Sequence, residues 1–158
     1  MLTATDIEII PFKAEHYKAM DLWPDDDLLR VLPTFEQGLK DAEIPGQSFT
    51  AMDGDTVIGV GGIKPLWPGV GEAWAVYPRD VATYGRQIYR VSRAALEHIE
   101  SAHGYWRVQA TARCDWPEAV RFLLALGFVP GIGKTMDDCR MRKYGIDGSD
   151  HYLMARVS

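Results

Sequence analysis

The sequence has no apolar run approaching the roughly 20 residues that cross a bilayer, and its opening, MLTATDIEIIPF, has neither a basic start nor a long apolar stretch. Neither a membrane span nor a secretory leader is expected. Cysteine is scarce: Cys114 and Cys139 lie far apart and belong to no Cys-x-x-Cys or Cys/His ligand cluster. That spacing argues against a zinc module and fits a reduced, cytoplasmic setting. Basic charge is also short. A net charge of -5 leaves no electrostatic footprint for nucleic acid or an anionic membrane. Repeats and low-complexity tracts are missing, which argues against solenoids and disorder. What remains is a 158-residue chain, 47% hydrophobic and 25% charged. That length suits one domain over residues 1–158, able to bury about two thirds of its unfolded surface.

One glycine-rich stretch, GFVPGIGKT from Gly127 to Thr135, invites a nucleotide-binding reading. A phosphate-cradling loop needs four residues between its first Gly and Gly-Lys-Thr, and needs a strand before it and a helix after it. Here five residues intervene. An apolar helical pattern precedes the motif, and the following MDDCRMRKYGIDGSD has no helical stripe. The expectation is a helix cap running into a strand or loop.

Periodicity orders the rest. DIEIIPF reads as a strand stopped by Pro11, and KAEHYKAMDLW as a helix with Tyr17, Met20 and Trp23 on one face. PDDD, with Asp25 to Asp27, reads as a helix start rather than a metal site. The next stretch, to Ala42, reads as helical with a break near Pro33. Residues 48–67 form two β-rich runs joined at Asp53-Gly54. A turn at Pro68-Gly69 and the run GEAWAVYP then complete a three-strand antiparallel meander. Gly59, Gly61 and Gly62 mark close approach by another backbone, a ligand or a bulge.

Ile88, Val91, Ala95 and Ile99 recur at helical spacing up to Gly104. YWRVQATA is then a strand with Trp106, Val108 and Ala110 on one face. Asp115 and Glu118, around Pro117, have the spacing of a capping box for a helix ending at Gly127. HYLMARV closes the chain, paired with residues around 134–143. Trp67, Trp74, Trp106 and Trp116 are expected in the core, and His16, His98, His103 and His151 sit beside no telling partner. Arg140, Arg142 and Lys143 form a basic cluster on a strand edge.

This order of elements, with WAVYP and CDWPEAVRFLLALGFVP as its most specific pieces, resembles the Gcn5-related N-acetyltransferase (GNAT) family along nearly the whole chain. The closing MRKYGIDGSDHYLMARV is similar to members carried by tailed bacteriophages. The resemblance implies a mixed α/β fold with a mostly antiparallel sheet splayed between its fourth and fifth strands and helices on both faces. It implies an acetyl-CoA-dependent transferase acting on an amine of a protein or a small molecule, with the pantetheine arm beside Val76 and Tyr77. The pyrophosphate would lie along Arg79, Thr83, Tyr84, Gly85 and Arg86, where a helix N-terminus favours anions.

Two positions depart from that pattern. The phosphate loop Arg/Gln-x-x-Gly-x-Gly/Ala falls on Val81, Tyr84 and Arg86, none of which matches, and Gly85 lies one place out of register. Direct charge-assisted contacts from Arg79 and Arg86 are expected to replace the missing amide cradle. Leu123 stands where many members carry a proton-donating Tyr. Glu72, on the strand before the splay, is the expected base that accepts the amine proton; the bland reading is an exposed strand carboxylate. The second function class is a GNAT-fold assembly protein, without activity, in phage development.

Overall fold

A computed structural model describes residues 7–23, 30 and 32–158. The expected helix start at Asp25–Asp27 lies outside them. Among the described residues eight strands, numbered β1 (Glu8–Pro11), β2 (Ser48–Asp53), β3 (Thr56–Trp67), β4 (Val70–Val76), β5 (Arg107–Arg113), β6 (Val129–Pro130), β7 (Arg140–Met141) and β8 (His151–Val157), pair in the order β1-β2-β3-β4-β5-β8-β6, with β7 also on β8. The chain divides into two compact units, Met1–Lys64 with Trp74–Ala102, and Pro65–Ala73 with His103–Ser158.

In the first unit, β1 (Glu8–Pro11) runs antiparallel to β2 (Ser48–Asp53), which pairs antiparallel with β3 (Thr56–Trp67). The β2–β3 register steps from Ala51–Gly59 to Met52–Val57, leaving Ile58 as the extra residue of a bulge. Helix α1 (Ala14–Lys18) is shorter than the sequence predicts. Beyond it Met20 and Leu22 are buried while Asp21 and Trp23 face solvent. That alternation has period two, which a helix cannot satisfy, and residues 21–23 hold no regular secondary structure. Trp23 accordingly leaves the expected helical face. Helix α2 (Phe35–Asp41) starts after Pro33, as the expected break requires. Phe12, Tyr17, Leu39, Val57 and Val60 form the core here, with Trp74 packed edge-on against Phe12 at 5.1 Å.

The three β3 glycines are explained by neighbouring chain. A Cβ on Gly59 would come within 2.9 Å of the Tyr77 ring, and one on Gly61 within 2.7 Å of the Trp74 carbonyl oxygen. On Gly62 it would collide with the Gln47 carbonyl oxygen, which accepts the Ile63 N–H at 2.9 Å. Helix α3 (Gly85–His103) buries Ile88, Leu96 and Ile99 along one face, with a 3-10 turn, Val81–Tyr84, leading into it.

Strand β4 (Val70–Val76) belongs to the second unit as far as Ala73 and to the first from Trp74; in the second unit it begins parallel to β5 (Arg107–Arg113), and β5 pairs antiparallel with β8 (His151–Val157) over seven residues. The other edge of β8 takes β6 (Val129–Pro130) and β7 (Arg140–Met141). Helix α4 (Pro117–Ala125) packs against β5. Its N-cap is Trp116, without a side-chain bond, and not Asp115. Arg113 grips the Asp115 carboxylate with two hydrogen bonds of 3.0 and 3.1 Å, and such a bidentate pair outcompetes a backbone cap.

Two tryptophans correct the expected core. Trp67 is 62% exposed and Trp106 58% exposed. On β3, burial ends at Ile63 and Lys64 to Trp67 all face solvent, so the strand outruns the layer that covers it. Trp106 precedes β5 and donates its N–H to the Gly69 carbonyl at 2.9 Å. Trp74 and Trp116 are half-buried.

The stretch from Gly127 takes the form the sequence predicts. Gly127, at φ 92°, caps α4, and the chain enters β6. The N–H groups of Lys134 and Thr135 both donate to the Asp138 carboxylate, at 2.8 and 2.9 Å, and hold its pKa below the usual carboxylate range.

Gly62→Ala forces the β2 backbone aside and is expected to destabilise the protein by about 1–3 kcal/mol, as overpacked cores do. Gly38→Ala, on α2 with open space around it, is expected to stabilise by about 0.5–1 kcal/mol. Urea midpoints at unchanged slope measure both.

Candidate functional site

The β4–β5 ladder contains three pairs, Val70–Arg107, Gly71–Val108 and Glu72–Gln109. It ends there, although β4 continues to Val76 and β5 to Arg113. Among the described residues no β4 residue beyond Glu72 has a ladder partner on β5, and a backbone group outside a ladder calls for another partner. Glu72, half-buried, stands at the last pair. On the β3 side, β4 keeps its neighbour, as the approach of Trp74 to Gly61 shows.

The residues after β4 are anchored one by one. Tyr77 lays its ring over Gly59 and its hydroxyl meets Ser92 Oγ at 3.1 Å. Burial pushes its phenol up to about 12, partly offset by the Ser92 bond. Tyr84, in the 3-10 turn, donates to Asp53 Oδ2 at 2.9 Å, and that carboxylate, with burial and neighbouring charge, holds the phenol above its ordinary value. Its hydroxyl is thereby tied to the end of β2.

Arg79 donates its Nε to the Leu22 carbonyl at 2.9 Å, its backbone N–H to the Asp21 carbonyl at 2.9 Å, and packs over the Trp23 ring. Thr83 and Gly85 are exposed where the 3-10 turn passes into α3, with open space over Gly85. Arg86, also exposed, has no ion pair or hydrogen bond among the described residues. The structure therefore leaves one unengaged cation at the start of a 19-residue helix whose N-terminal dipole favours anions.

Sequence reasoning named Val76, Tyr77, Arg79, Tyr84 and Arg86 but missed their holders. Ser92 carries no local signal, and Asp53 reads only as half of a turn dipeptide. Asp21 and Trp23 lie where the sequence predicts a longer helix, and no local pattern in Met20-Asp21-Leu22-Trp23 marks them, because Trp23 is apolar yet exposed. Leu123 lies half-buried on α4 and offers no proton.

No protein-family model and no curated protein matches the sequence. Solved structures do match the fold. Ard1 from Thermoplasma volcanium is 18% identical over 96% of this chain and 97% of its own, with a TM-score of 0.73. A GNAT-family acetyltransferase from Bacillus anthracis is 15% identical over 99% and 97%, with a TM-score of 0.68. The spermidine/spermine N-acetyltransferase SpeG from Vibrio cholerae is 13% identical over 96% and 94%, with a TM-score of 0.66. The chain has the fold of GNAT acetyltransferases: a mixed α/β domain fold, its sheet mostly antiparallel with β4 and β5 parallel.

Ultraviolet titration of the seven tyrosines is expected to show one phenol ionising near pH 12 that Tyr77→Phe removes. Because the folded value lies above the unfolded one, Tyr77 adds stability that is complete below about pH 10 and disappears as pH rises through about 12. Tyr77→Phe should flatten the loss of stability in that window.

Proposed function

We propose that residues 1–158 act as a single acyl-CoA-dependent N-acetyltransferase domain, with acetyl-CoA as the co-substrate and an amine, of a protein or a small molecule, as acceptor. The observation that supports this most directly is the end of the β4–β5 ladder at Glu72, four residues before β4 itself ends. The exposed edge there offers amide and carbonyl groups to an extended carrier, as a third strand would. The likeness of fold to solved acetyltransferases points the same way.

On this reading the pantetheine arm pairs with backbone around Val76 and Tyr77. The pyrophosphate meets Arg86 and the turn at Thr83, Tyr84 and Gly85, where α3 begins. A backbone N–H near Val76 polarises the thioester carbonyl, and the amine nitrogen attacks the carbonyl carbon. The C–N bond forms, the C–S bond breaks, and the sulfur leaves with CoA. Glu72 accepts the proton the amine gives up. Such a reaction draws on alignment and fixed dipoles more than on many special side chains, so Leu123 in place of a donor does not forbid it. The fixed Tyr77 and Tyr84 keep the β4 exit in one geometry.

Calorimetry and thermal shift with acetyl-CoA test the reading. Saturable binding at micromolar ligand is expected, with about 2.7 kcal/mol of stabilisation at one hundred times Kd. Arg86→Ala should weaken binding by roughly tenfold, the effect of a lost charge-assisted bond. Glu72→Gln should bind acetyl-CoA normally yet slow thiol release with an amine panel by roughly 10²–10⁴-fold. No response to millimolar acetyl-CoA would overturn the proposal.

A further inference from the structure

After α1, Met20 and Leu22 are buried while Asp21 and Trp23 face solvent. The backbone carbonyls of Asp21 and Leu22 are both taken by one residue. The Arg79 N–H donates to the Asp21 carbonyl and its Nε to the Leu22 carbonyl, each at 2.9 Å. The same guanidinium stands 3.5 Å from Asp21 Oδ1 and 5.5 Å from the Trp23 ring centroid. An exposed ion pair alone contributes little, but a planar guanidinium that hydrogen-bonds, pairs and stacks at once fixes its partners in register.

Arg79 is also rigidly connected to the β4 exit. Pro78, buried and fixed in φ, directly precedes it, and Tyr77 is fastened to Ser92. We propose that Arg79 is a positioning residue that pins Asp21–Trp23 to the exit of β4, so that a ligand ordering that exit also orders this segment. The coupling rests on the transferase reading of the β4 edge; the pinning does not. A ligand that stiffens one end of such a link lowers the entropy cost of holding the other, which joins the two sites without a change of shape.

Amide hydrogen exchange on the ligand-free protein tests the pinning. Arg79→Ala should speed exchange at Asp21, Leu22 and Trp23 on the order of tenfold, with the α3 and β5 amides unchanged. Indole emission should shift with it, and Trp23→Phe should abolish that shift. Arg79→Lys keeps the charge but loses the Nε bond and the planar stack, so faster exchange confined to the same amides is expected there too. This variant decides the matter if Arg79→Ala does not fold. Wild-type exchange in both variants would overturn the pinning.

With acetyl-CoA added, protection at Asp21–Trp23 should rise in the wild type and not in the variant, whose affinity stays within about threefold. A loss beyond tenfold in affinity, with wild-type exchange, would make Arg79 a phosphate ligand and sink the proposal. Failure of the wild type to bind acetyl-CoA would defeat the transferase reading and the coupling with it, while the ligand-free exchange still judges the pinning.

Discussion

A strand inside a sheet has two edges whose amides and carbonyls must find partners, and β4 finds β5 partners on one edge only from Val70 to Glu72. The glycines of β3 bring β4 in close on its other side, at Gly61, so that edge is settled and the remaining one is where the strand has chemistry left over. An edge left bare in the middle of a strand order is a liability unless something covers it, and a thin extended ligand is a natural cover.

Around that edge the chain removes freedom. Tyr77 is held by Gly59 and Ser92, Tyr84 by Asp53, and Arg79 by three residues after α1. Each contact joins residues far apart in sequence, and together they fix a short stretch from Tyr77 to Tyr84 that contains no regular strand and one 3-10 turn. Arg86 is the exception, left to solvent at the head of α3. Anchored surroundings with an unspent cation beside them suit recognition of an anion better than a flexible basic loop would, since less ordering remains to be done on binding.

The fold was legible because local patterns and long-range packing agree along most of the chain. Turns at Asp53-Gly54 and Pro68-Gly69, the stripe from Ile88 to Ile99, and the cap at Gly127 all follow from short-range chemistry. Reading failed where a tertiary contact overruled a local preference. Asp115 prefers Arg113 to the end of α4. Trp67 is large and apolar yet lies past the edge of the covering layer, and Trp106 lays its ring over Gly69 with most of its surface exposed. Residues 20–23 abandon the helix because Met20 and Leu22 both turn inward. For the candidate site, the residue types near β4 could be named from resemblance. What each is bonded to could not, because Ser92, Asp53 and Leu22 are 15, 31 and 57 positions from their partners.

The loop after β6 bears one last implication. Asp138 sits on the amides of Lys134 and Thr135, which a sequence reader would offer to a nucleotide. A carboxylate tethered a few residues away and already oriented acts at an effective concentration that dissolved phosphate does not match. The stretch that looks most like a nucleotide cradle therefore carries its own anion, already seated on the amides that a phosphate would need.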